Sequence, residues 1–176
     1  MPTNGNDMND AMLRADCTRC AGLCCVAHAF DRSEEFAFDK ACDEACHHLT
    51  QKFRCGIHAE RALRGFGGCE RYECFGAGQK LSEIYEGRTW RDSPAEAHEM
   101  FEVFRILRKV HELLVLLRAA GKLPLPQIAS QRLKAFEETL APADGWTAAS
   151  LRAFEPDTLR REIRTFLATL KDHIEK

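Results

Sequence analysis

A chain of 176 residues, 45% hydrophobic and 30% charged, is long enough to bury a core without covalent staples. Its 25 Lys+Arg nearly balance 27 Asp+Glu, which excludes a basic nucleic-acid arm or an acidic tail. The longest aliphatic run, Leu113 to Leu117, is too short to span a bilayer, and residues 1–10 lack the apolar stretch of a secretory leader. The expectation is a cytoplasmic protein with no membrane or nucleic-acid partner, in a compartment where disulfides are uncommon.

In chain order, an Asn- and Asp-rich start predicts a flexible N-terminus over residues 1–15. Residues 16–88 form a cysteine-rich region that contains all nine cysteines, from Cys17 to Cys74. Its nucleus is Cys17-x2-Cys20-x3-Cys24-Cys25, after which Val26 to Phe30 and Phe36 to Phe38 alternate as short strands do. Asp39 to His48 reads as one or two helical turns with Cys42 and Cys46 on one face. A short helix follows Cys55-Gly56-Ile57-His58 and ends at Gly65. Glycine-punctuated turns carry Cys69 and Cys74, and Gln79 to Glu86 forms another short helix.

The remainder, residues 89–176, has no cysteine and reads as a helical bundle. Ser93-Pro94-Ala95-Glu96 is a capping box with proline at the first helical position. Met100, Phe104, Leu107, Val110, Leu114 and Leu117 then hold one helical face as far as Gly121. A second helix fits Gln127 to Leu140, and a third fits Pro156 to Ile174, with Trp146 plugging a core edge between them. The fold class expected is mainly α: a cysteine-rich metal-binding region packed on an antiparallel helical bundle.

Four cysteines within residues 17–25 are hard to explain as packing, whereas a CxxC turn brings two sulfurs together around one soft ion. Adjacent cysteines are expected to point apart, so Cys24 and Cys25 suit two centres, or one ligand and one supporting thiol. The ligand set expected is Cys17, Cys20, Cys24, Cys25, Cys46, Cys55, Cys69 and Cys74, with His58 as a further candidate and Cys42 left over. His28 reads as a core histidine, and His47 and His48 as surface residues. The sequence has no GxSxG, Walker A or HExxH motif, and Gly76-Ala77-Gly78 lacks the setting of a dinucleotide site.

The order Cys17-x2-Cys20-x3-Cys24-Cys25, then Cys46, Cys55-x-Ile57-His58, Cys69 and Cys74, resembles the CxxCxxCC cysteine-cluster family, described as a zinc- or iron-chelating domain. It departs from that family in placing three residues, not two, between Cys20 and Cys24. Segments such as CAGLCCVA, FRCGIH, GFGGC and CFGAGQ are also similar to the N-terminal module of certain bacterial pentapeptide-repeat proteins. No such repeat occurs in this sequence. The resemblance implies a structural or regulatory module that binds zinc or, alternatively, an iron–sulfur cluster. A redox or metal sensor, a metal-dependent enzyme with an open coordination position, and a protein partner all remain open.

Overall fold

A computed structural model describes residues 11–173. The first ten residues of the expected flexible N-terminus, and Ile174 of the expected third helix, lie outside the described residues. The protein is mainly α, with seven helices and no sheet among the described residues. They are α1 (Cys24–Ala27), α2 (Gly67–Arg71), α3 (Ala77–Ile84), α4 (Pro94–Ala120), α5 (Gln127–Leu140), α6 (Ala148–Arg152) and α7 (Pro156–Thr169). Three 3-10 turns, Cys17–Arg19, His58–Glu60 and Leu170–His173, complete the order. No helix is long and apolar enough to cross a membrane among the described residues.

The 27-residue α4 is the axis of the molecule and, at 1.5 Å rise per residue, is about 40 Å long. It starts where the sequence says it should. The Ser93 hydroxyl accepts the Glu96 backbone N–H at 3.2 Å, and Pro94 contributes a fixed φ where no N–H is needed. Its two halves bury different surfaces. Met100, Phe101, Val103, Phe104 and Leu107 join Leu23, Val26, Ala27, Leu81 and Tyr85 of the cysteine-rich region in one core. Val110, Leu113, Leu114 and Leu117 join Leu133, Phe136, Leu140, Ile163 and Phe166 of α5 and α7 in the other. Trp146 packs against both cores and donates its indole N–H to the Leu140 carbonyl at 2.9 Å.

The cysteine-rich region is built largely from turns, and here the structure differs from the local sequence pattern. Val26 to Phe30 is not a strand, because Cys24–Ala27 coil into α1, with Val26 N–H and Ala27 N–H both bonded to the Leu23 carbonyl. Only isolated bridges remain of the expected strands, Phe30 with Lys40 and Ser33 with Phe36. Residues 39–48 form no helix, since Asp43 adopts φ 63° and breaks the i,i+4 relation between Cys42 and Cys46. What organises this segment is Lys40, 5% exposed, whose ammonium donates to the carbonyls of Val26, Ala41 and Glu44 at 2.9, 3.0 and 2.7 Å. Leu13, expected in the flexible start, is buried, and Gln79 ties down the adjoining backbone at Arg14 and Asp16.

Candidate metal centre

The thiols are brought together by three close approaches of the chain. Gly22, at φ +70°, turns the chain between Cys20 and Cys24, and a Cβ there would stand 2.9 Å from Leu49 Cδ1 and 3.2 Å from the Phe53 carbonyl oxygen. Gly78 of α3 is pressed so closely on the nucleus that a Cβ would lie 2.6 Å from Cys20 Sγ and 3.9 Å from Cys74 Sγ. The Cys46 N–H donates to the Cys25 carbonyl at 2.9 Å, and the Leu49–Cys55 bridge returns the chain so that Cys55 faces the same space. Arg54 fastens this return by donating to the carbonyl oxygens of Cys17 and Thr18.

The outcome is a cavity of about 640 Å³ lined by Cys17, Cys20, Cys24 and Cys25 from the nucleus and by Cys46, Cys55 and Cys69 from the segments that follow. Cys74 stands just behind Cys20, across Gly78. Seven of the eight cysteines of the expected ligand set therefore line one cavity, and the eighth, Cys74, stands beside Cys20. His58 lines the cavity too. Cys42 does not, for it is exposed, donating to the Ala27 carbonyl at 3.3 Å beside Arg105. Two histidines that the sequence did not single out as site residues, His28 and His48, also line the space. His28 Nε2 and the Tyr72 hydroxyl are 2.7 Å apart, and burial, then Arg108, holds the imidazole down to about 4, so it is neutral. No local signal marks His48, because it reaches the cavity only through the turn before Cys55.

The nine cysteines are free thiols. Their acidities divide them. Cys24 Sγ and Cys25 Sγ lie 3.9 Å apart, and either thiol can donate to the other. Interaction with the Cys25 thiol lowers Cys24 and Cys55, the latter to about 6, and raises Cys25 itself. Burial pushes Cys20 up to about 12 and Cys69 up to about 11, and it raises Cys17, Cys46 and Cys74 as well. In all five, the charge of Cys24 adds to the rise, which puts Cys24 at the centre of the group. Arg61 opposes it at Cys17, Cys24, Cys55 and Cys69.

The adjacent sulfurs do not point apart as expected. Their 3.9 Å separation is close to the edge of a tetrahedral thiolate site, about 3.8 Å for metal–sulfur bonds of about 2.3 Å. The donor set thus suits a soft cation in chemistry and in this one edge. As placed, however, the thiols surround a space, and among the described residues no group of three or more His, Cys, Asp or Glu is arranged to hold a metal ion.

An uncharacterized protein of Bacillus subtilis (strain 168), YybG, is 40% identical to this chain over 156 residues. The match takes in 88% of this chain but 56% of YybG, so the chain spans little more than half of that relative's length. No protein-family model matches the chain, and no solved structure does.

Proposed function

We propose that this protein binds zinc or, alternatively, an iron–sulfur cluster through the thiolates of Cys17, Cys20, Cys24, Cys25, Cys46, Cys55, Cys69 and Cys74, with His58 at the rim, as a structural or regulatory module. One observation carries the reading: seven cysteines spread over residues 17–69 line one cavity and Cys74 stands beside Cys20, while the ninth, Cys42, is left outside. Packing alone does not account for this, because a cysteine buried as a small hydrophobe has no need of seven others beside it. Burial makes Cys17, Cys20, Cys46, Cys69 and Cys74 harder to ionise, and a soft cation reverses that penalty by binding the deprotonated form.

A tetrahedral ion saturates with four ligands, so eight thiols correspond to more than one ion, or to a cluster and a second site. The resemblance of the cysteine order to the CxxCxxCC family supports the same reading. A cytoplasmic location, where thiols stay reduced, and a protein partner for the module belong to the proposal. A redox or metal sensor is the second reading, and it is favoured by Cys55. A thiol lowered to about 6 is ionised at neutral pH and open to oxidation when the metal leaves.

Metal analysis and a visible spectrum of anaerobically purified full-length chain test the proposal. Stoichiometric zinc in a colourless protein, or iron and sulfide with absorption near about 400 nm, is the expected result. Protein isolated without either, whose thiols do not take up zinc or iron on reconstitution, would refute it.

A further inference from the structure

We infer that the cavity beside the thiols also receives a small oxygen anion, a carboxylate or an inorganic oxyanion, held by Arg61 and Arg108 and not by the metal. The charged side chains that line the cavity are Arg54, Arg61 and Arg108, and no Asp or Glu is among them. Its volume of about 640 Å³ falls within the range of small-molecule pockets, about 300–1,000 Å³. It is roughly twenty times the space of one water, so a few metal ions leave most of it open.

The three arginines are not equivalent. Arg54 is committed to the carbonyls of Cys17 and Thr18. Arg61 and Arg108 each keep a buried Nε with no hydrogen-bond acceptor. A guanidinium recognises a carboxylate or oxyanion side-on, through its Nε and one Nη in a plane, so the unpaired atom belongs to the edge that such an anion engages. Buried donors are rarely left without an acceptor, and two on side chains that line one cavity ask for a common explanation. Thiolates could serve Arg61, which neighbours four of the cysteines. They do not serve Arg108, which stands over the rings of Tyr72 and Phe75 at 5.6 and 5.7 Å and engages Glu112 at 3.1 Å through Nη1 only. The hydroxyl of Tyr72, with His28, adds polar groups on the same side. Phe30, Phe36 and Phe66 give the cavity an apolar wall, which fits an acid with an apolar body.

Calorimetric titration of the full chain at low salt with benzoate, and separately with inorganic phosphate, tests the site. One saturable site for at least one probe is expected; benzoate alone would mark an organic acid and phosphate alone an inorganic oxyanion. The dissociation constant should rise about tenfold or more in both Arg61→Gln and Arg108→Gln, because each removes a charge-assisted hydrogen bond. Exposed Lys134→Gln should leave it unchanged. Should a glutamine variant not fold, Arg61→Lys or Arg108→Lys replaces it; these keep the charge but lose the planar fork, and still weaken binding. No saturable binding of either probe, or an unchanged constant in either arginine variant, overturns the inference. Binding abolished by stripping the metal while the arginine variants bind normally would place the anion on the metal and overturn it too. Retained binding in stripped protein supports the arginine site whatever becomes of the metal proposal.

Discussion

If the thiols hold metal as proposed, replacing Gly78 by Ala should lower the metal content without unfolding the protein. In most helices this exchange is stabilising, by up to about 1 kcal/mol, since alanine loses less backbone entropy. Here the added Cβ would sit 2.6 Å from Cys20 Sγ, whereas apolar contacts settle at about 3.5–4.0 Å. Roughly 1 Å must therefore be found. Moving α3 as a body costs about 1–3 kcal/mol, typical of an overpacked core. Turning Cys20 about χ1 is cheaper, because its own Cβ already lies 3.5 Å from the new methyl, an ordinary contact. The turn takes the sulfur off the cavity. Urea denaturation should therefore place Gly78→Ala within about 1 kcal/mol of the parent, while metal content falls to the level of Cys20→Ser. The double variant should bind as much metal as either single one, because both changes remove the same ligand. A Gly78→Ala protein that is more stable and fully loaded would show that Cys20 is not held where the structure puts it, and would refute the reasoning.

Three further outcomes follow from the same geometry. Cys42→Ser should leave metal content unchanged, measured beside Cys20→Ser, which lowers it; an emptied site in Cys42→Ser would contradict its placement outside the cavity. Stripping the metal should accelerate hydrogen exchange over Cys17 to Cys74 and along Met100 to Leu107, while Val110 to Leu117 stays protected by the second core; uniform loss along α4 would contradict the division of its two faces. In stripped protein, alkylation of Cys55 should rise through a midpoint near pH 6, because its thiolate is stabilised, whereas Cys20 and Cys69 should react only at strongly alkaline pH, as mass spectrometry of the labelled sites would reveal.

The helical half was legible because its signals are local and redundant. The Ser93 cap, the 3–4 spacing from Met100 to Leu117 and Gly121 each point to the same helix ends, and α5 matches its expected range residue for residue. The small α6 went unread, although Thr147 and Ser150 form a reciprocal capping box there. The cysteine-rich half was legible in which thiols gather and not in conformation. The cysteine order, with its family resemblance, named eight thiols and left Cys42 over. Yet alternation suggested strands where Leu23 nucleates α1, because a four-residue turn has too few positions to display a period. The roles of Lys40, His48 and Arg61 depend on carbonyls and thiols brought from other segments, which no window of sequence contains.

Because α4 supplies one wall to each core, the cysteine-rich segment is not a detachable cassette. A fragment ending at residue 88 would keep every thiol yet expose Leu23, Val26, Leu81 and Tyr85, which close against Met100, Phe104 and Leu107. Transplanting the thiol cluster into another protein would therefore require carrying the first four turns of α4 along with it. The same shared beam gives the two cores a common mechanical element, so a substitution on the buried face of α4 bears on both ends of the molecule.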